Sequence, residues 1–330
     1  MPNEVRLRHE AGRCYPWLEY ADLSAGVLAR IAAERGVDFA TALFYDRLRR
    51  SPQHGRFIAE VESAPLDLHA LPRLRGTVVI APAAGYREYP AFGGDGRLIA
   101  EIAAEFGLRS RVLPLASFGA VTENARRIRL ALAGEAHRSV ILVSLSKGGA
   151  DVRLALAGDG AARRTVRLWV QIGGLLCGTP LVDALLDGPW WRQLATRATL
   201  AALGMRPDTL GELRHGGGGD RGGPHRVLAG PAVAPAGVPV INVVGCPLAA
   251  HLSGSTRRRH RQLAPWGPND GSTLLRDAIV EPGLAYPLWG ADHYFRIPAA
   301  AELVYRLFLY LARRPGAGVR EGTVVSEAGA

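Results

Sequence analysis

Residues 140–150 read Val-Ile-Leu-Val-Ser-Leu-Ser-Lys-Gly-Gly-Ala. An apolar run stops at a serine with small neighbours, and helix-compatible sequence follows. In one dimension this is a strand, a tight turn and a helix. A turn that sharp requires small flanking residues and lifts the Ser146 side chain above the end of the strand. The serine then stands at a helix N-terminus, where free N–H groups favour a developing negative charge. The spacing small-x-Ser-x-Gly is that of a nucleophile elbow, with Ser144 where glycine usually stands.

Strand and helix patterns alternate on both sides of this turn. Thr77–Ala81 is a buried strand, and Leu98, Ile99, Ile102, Ala103 and Phe106 mark an amphipathic helix. Arg111–Leu115 is a short strand, and Val121–Ala133 a second helix. Strands follow at Val166–Ile172, Val238–Val244 and Leu284–Trp289, with Lys147–Ala157 the helix after Ser146. This rhythm predicts an α/β fold, a mostly parallel sheet with helices on both faces.

Residues 1–70 predict a helical N-terminal extension, with Leu23, Val27, Leu28 and Ile31 on one face. The α/β domain then covers 71–314. A stretch at about 178–237 breaks the rhythm. It holds Trp190 and Trp191, a helical pattern around Arg192–Leu203, and the glycine-rich Gly216–Gly223. An insertion there lies over the C-terminal edge of the sheet, so it is expected to form a cap. Adjacent tryptophans are costly to leave bare, so Trp190 and Trp191 are expected to bind substrate. Residues 315–330 are expected to be a disordered tail.

Composition narrows the function classes. No run of about 18 apolar residues is present, so a membrane span is not expected. The N-terminal residues are too polar for a secretory signal. The three cysteines, Cys14, Cys177 and Cys246, are far apart and odd in number. They fit a reducing cytoplasm and neither a disulfide framework nor a zinc site. The net charge of +10 comes from basic residues spread along the chain among 30 acidic ones. Nucleic acid is therefore not the expected partner. The one dense run, Arg257-Arg258-Arg259-His260-Arg261, is either a solvated loop or a patch attracting anionic substrates such as carrier-bound acyl groups.

A serine hydroxyl needs a base, and the base needs an acidic partner. An elbow of this kind is followed along the chain by the acid and then by histidine. Of nine histidines, four precede Ser146. His215, His225 and His260 lie in glycine- or arginine-rich stretches, and His251 has no acid between it and the preceding strand. His293 follows the last strand in a tight loop and is the expected base. Asp270, in the turn Pro268-Asn269-Asp270-Gly271, is the expected acid, with Asp292 the runner-up. The oxyanion donors are expected to be the backbone amides of Lys147 and Ala84. Gly85 supplies loop freedom, and Tyr86 either gives its hydroxyl or closes over the acyl group. Lys147 is the only lysine in the chain. Its side chain either steadies the elbow or faces an anionic substrate.

Ser144–Gly149, Asn269-Asp270-Gly271 and Gly290-Ala291-Asp292-His293 together resemble the α/β-hydrolase superfamily, in particular lipase- and esterase-like serine hydrolases. The resemblance covers about residues 76–312. It implies cleavage of carboxylic esters or thioesters through an acyl-enzyme on Ser146, with small-molecule or carrier-bound acyl substrates and neither metal nor organic cofactor. The chain departs from the pattern at Ser144 and at Pro82-Ala83, where His-Gly is usual. No strand is visible before Thr77, so the N-terminal helices are expected to cover the sheet edge. Three other readings stand beside this one. Ser144-Leu145-Ser146-Lys147 also matches Ser-x-x-Lys, with Ser144 as nucleophile. The same triad serves acyltransferases. A hydrolase scaffold can also serve as a catalytically silent binding module.

Overall fold

The structure, a computed structural model, describes residues 2–135, 139–158, 160–191, 193–194, 198, 207–215 and 227–314. Its centre is one sheet of six strands: β1 (Thr77–Ala81), β2 (Arg109–Val112), β3 (Val140–Leu145), β4 (Val166–Ile172), β5 (Val240–Cys246) and β6 (Leu284–Trp289). Every neighbouring pair is parallel, and the order is β2-β1-β3-β4-β5-β6. The chain runs outward from β1 to β2, then returns past β1 to β3 and continues the other way. The switch between β1 and β3 opens a crevice at the strands' C-terminal ends, where such sheets bind ligands. Ser146 lies directly beyond β3.

The helices are α1 (Pro2–Arg13), α2 (Ala25–Arg35), α3 (Val37–Arg50), α4 (Pro52–Glu62), α5 (Arg97–Glu105), α6 (Val121–Ala133), α7 (Lys147–Ala157), α8 (Gly160–Thr165), α9 (Pro180–Leu186), α10 (Pro207–Gly211), α11 (Gly254–Leu263) and α12 (Pro298–Ala312). Alternate strand residues face opposite layers. Val78 and Ile80 of β1, with Ile141 and Val143 of β3, pack with residues of α4, α5 and α12. Val79, Ala81, Val140 and Leu142 pack on the other face with α6 and α7. Burial on both faces is why these strands read as unbroken apolar runs.

The N-terminal helices belong to this core. Leu28, Ile31, Phe39, Leu43 and Phe44 pack with Val244, Cys246 and Ala285 at the β5–β6 end. Phe57, Ile58 and Val61 of α4 join the opposite layer. The segment thus wraps both sides of the β6 edge. Its boundaries follow local chemistry: Ser24 accepts from the Val27 amide at the start of α2, and Ser51 accepts from the His54 amide ahead of Pro52 at the start of α4.

Two strands are displaced by two to three residues from their expected places. The second covers Arg109–Val112, with Leu113 and Leu115 buried beyond its end. The fifth begins at Val240, after Pro239, which has no N–H for the ladder. The described parts of the insertion pack together, with Val182, Leu210, Leu213 and Leu228 in one cluster with Val121 and Ala150. Gly216–Gly223, most of the expected helix at Arg192–Leu203, and the tail from Pro315 lie outside the described residues. Among the described residues no helix is long and apolar enough to cross a membrane.

Candidate active site

Ser146 has φ +50 and ψ −118, left-handed backbone that a serine adopts only under constraint. The constraint comes from both sides of the turn. The Ser146 amide donates to the Ile172 carbonyl, and the Ser146 carbonyl accepts from Gly149 and Leu175. The hydroxyl is thereby held 2.7 Å from His293 Nε2. On the other side of the ring, His293 Nδ1 is 2.9 Å from Asp270 Oδ2. A carboxylate only accepts, so Nδ1 carries the proton and Nε2 is left to accept from Ser146.

Asp270 is fixed by its own turn. Its Oδ1 accepts from the amides of Ser272 and Thr273, both at 2.8 Å, and its backbone carbonyl accepts from the His293 amide. Asn269, fully buried, binds the carbonyls of His260 and Gly267 and accepts from Gly271. The Asn-Asp-Gly turn therefore has a distinct task for each residue. Asp292 caps the neighbouring turn instead, accepting from the Tyr294 amide.

The serine at position 144 is placed differently. It is fully buried within β3, and its hydroxyl accepts from Trp169 Nε1 at 2.8 Å. Lys147 is equally occupied. Its Nζ lies 2.8 and 3.0 Å from the two oxygens of Asp151, one turn along α7, and both side chains are nearly fully buried. Asn124 completes the cluster, donating to Asp151 and bracketing the backbone of Ala116. Burial pushes the Asp151 carboxyl up to about 6 against the pull of Lys147. Such engagement removes the geometry a Ser-x-x-Lys reading needs.

Helix α7, which begins at Lys147, comes close to the loop that holds Ala84. A Cβ on Gly148 would sit 2.4 Å from the Ala81 carbonyl oxygen and 2.7 Å from that of Pro82. Only glycine lets α7 come this near the loop after β1. Among the described residues, neither the Lys147 nor the Ala84 amide donates to another group.

Ser146 and His293 open onto a cavity of about 560 Å³. Ala84, Gly85 and Tyr86 line it, as do Leu98 and Ile99 of α5 and Leu303, Val304 and Leu307 of α12. The Tyr86 hydroxyl is turned away from the oxyanion position: it donates to the Leu115 carbonyl at 3.0 Å, so only its ring is available to a substrate. Trp190 and Trp191, expected to bind substrate, are 76% and 53% exposed and are not among the lining residues. They follow the end of α9, and the cap reaches the cavity through Leu181, Val182, Leu210 and Leu213 instead.

Several contributors carry no clear signal in sequence. Gln171 and Asn242, paired across β4 and β5 and fully buried, hold the Ala278 and Val280 backbone near the acid turn. Phe118, Arg259 and Arg296 also line the cavity. A second histidine–aspartate pair, His215 and Asp277 at 2.7 Å, is separate from the cavity lining. Asp151 alone had a readable sign, the i,i+4 spacing from Lys147.

No protein-family model and no curated protein matches the chain. Solved structures do. A metagenomic carboxyl esterase superposes with a TM-score of 0.55 at 18% identity, over 76% of this chain and 77% of that one. The mature form of a Bacillus licheniformis lipase gives 0.50 at 18% identity, over 75% and 94%. The chain has the α/β-hydrolase fold. At this identity the likeness speaks for the α/β-hydrolase architecture and leaves chemistry to the site. In this fold, serine, acid and histidine arrive in the chain order seen here. Among the described residues this α/β-hydrolase sheet has no strand ahead of Thr77.

Proposed function

We propose that the protein is a serine hydrolase cleaving carboxylic esters or thioesters. The observation that carries this reading is the unbroken hydrogen-bond chain Ser146–His293–Asp270 at the floor of an apolar cavity. Ser146 Oγ attacks the acyl carbon while His293 Nε2 takes its proton. Asp270 keeps the imidazole in the required tautomer and stabilises the cation that forms. The Lys147 and Ala84 amides receive the oxyanion. Each such donor typically contributes about 3–4 kcal/mol of transition-state stabilisation. His293 then protonates the departing alcohol or thiol, and water resolves the acyl-enzyme by the same steps in reverse order.

The cavity takes the acyl chain, with the walls of α5 and α12 supplying apolar contact. The ring of Tyr86, beside Gly85, belongs to its rim. In this reading residues 71–314 form the catalytic domain, the described part of 178–237 its cap, and 1–70 its helical wall. The working location is the cytoplasm, where three separate thiols stay reduced.

A fluorophosphonate probe tests the central step. Wild-type protein is expected to be labelled at Ser146, and Ser146→Ala to remain unlabelled. Folded wild-type protein that resists the probe would favour a binding module. Labelling together with preferential transfer to an added alcohol or thiol in water would favour an acyltransferase.

A further inference from the structure

Arg259 and Arg296 line the cavity that contains Ser146 and His293. Both guanidinium groups lie over the Tyr294 ring, at 5.7 and 5.0 Å from its centre. Arg259 is half-buried. Its Nε donates to the Gly271 carbonyl at 2.9 Å and its Nη2 to the Tyr294 hydroxyl at 2.9 Å. Arg296 lies over Phe92 as well. These partners are neutral. Among the described residues neither arginine forms an ion pair, and the Nη1 group of Arg259 has no hydrogen-bond partner. Arg296 is exposed; among half-buried arginines, Arg49, Arg214, Arg276 and Arg306 are paired with acids, whereas Arg153, like Arg259, is held by neutral groups. Two uncompensated cations at the mouth of an apolar cavity leave a place for a negative charge brought by the ligand.

The reaction geometry says which part of the ligand carries it. Arg259 is tied to the residue after Asp270, Tyr294 follows His293 directly, and Arg296 lies three residues beyond it. Both cations therefore stand beside the loop that carries His293, and Arg296 also reaches Phe92 in the loop after β1. The group leaving the acyl carbon must pass on the histidine side, because His293 Nε2 hands it a proton. We infer that the preferred substrates are acyl esters or thioesters whose alcohol or thiol portion bears an anionic oxygen group, carboxylate or phosphate, read by Arg259 and Arg296. This rests on the serine-hydrolase reading above and adds a substrate class to it.

The test uses three octanoate esters that differ only in the leaving phenol: 4-carboxyphenyl, 4-phosphonophenyl and the neutral 4-carbamoylphenyl. Wild-type protein is expected to favour an anionic ester over the neutral one by tenfold or more in kcat/KM. The anion with the larger preference names the natural group. That ratio is expected to fall by about tenfold in the double variant Arg259→Gln/Arg296→Gln, and to shrink in wild type as salt rises from 50 to 500 mM. Variant intrinsic reactivity cancels in the ratio. A ratio near one in wild type, or one unmoved by the double variant, overturns the inference while leaving the hydrolase intact. Calorimetric binding of the same three esters to Ser146→Ala protein gives a second reading that does not depend on turnover. Equal affinities there, with and without the two arginines, also overturn it. Loss of labelling by fluorophosphonate would instead count against the hydrolase reading itself.

Discussion

Lys147 Nζ lies 2.8 Å from Asp151 Oδ1, and both side chains are almost entirely withdrawn from solvent. The pair sits one residue beyond the candidate nucleophile, where a lysine invites a catalytic reading. The ammonium is instead spent on a carboxylate that also binds Asn124. Breaking such a pair leaves a buried charge without its partner. Asp151→Asn is expected to lower stability by about 3–5 kcal/mol, measured by urea denaturation. The apolar replacement Lys147→Met/Asp151→Leu is expected to recover most of that loss. It should also keep ester turnover, because the proposed mechanism uses only the backbone N–H of position 147. A well-folded double variant without activity would restore a chemical role to the ammonium.

The two serines of the elbow should separate cleanly. Ser146→Ala is expected to reduce kcat by about 10⁶, the scale on which a triad nucleophile acts. Ser144→Ala should leave kcat close to wild type and cost about 1–3 kcal/mol, because it strands the buried Trp169 indole N–H. Turnover of a p-nitrophenyl ester and thermal unfolding of both variants check the pair of outcomes.

Gly148→Ala probes the proposed oxyanion donors without touching them. Its new methyl would fall 2.4 Å from the Ala81 carbonyl oxygen, so α7 and the loop after β1 must move apart. Loss of one well-placed donor costs about 10²–10³ in kcat. A variant that folds, retains the Ser146 label and turns over at the wild-type rate would count against the Lys147 and Ala84 amides as that pair.

Acyl length should register on the apolar walls. Each methylene buried is worth about 0.8 kcal/mol, or roughly fourfold in kcat/KM. A homologous series of p-nitrophenyl esters is expected to climb by that factor per carbon until the cavity is full. Val304→Trp, which narrows the α12 wall, should move the optimum to shorter chains.

Acid sensitivity has a defined sign. Burial holds His54 and His260 below their ordinary value of 6.5. Just below pH 6.5 the unfolded chain therefore binds more protons than the folded one. Stability is full above that pH and falls beneath it, by up to about 1.4 kcal/mol per pH unit per histidine. Asp151, raised to about 6, works the opposite way between about 6 and 3.8. Melting temperature should thus begin to drop as pH falls through 6.5, and His54→Leu/His260→Leu should flatten that segment.

The elbow, the strand before it and the turn holding Asp270 were legible because each writes a local constraint into neighbouring residues. Small flanks, an apolar run and Asn-Asp-Gly are short-range signals. His293 followed from chain order together with its place in a tight loop after the last strand. Trp190 and Trp191 are not among the residues that line the cavity, because bulk and adjacency alone say nothing about where in an insertion a side chain falls. Gln171, Asn242, Asn124 and Arg296 were invisible for a related reason. Each has at least one partner distant in sequence, and a polar residue in a strand or loop looks the same whether it lies beside a cavity or meets water.

Phe57, Ile58 and Val61 rest under the same sheet face as α12, while Phe39 and Phe44 lie under the other. The stretch ahead of the first strand is therefore not a detachable leader. Trimming it to reach a minimal catalytic unit would strip β6 from both sides at once, and β6 is the strand that delivers His293. A shortened protein would be expected to lose the placement of His293 before that of Ser146.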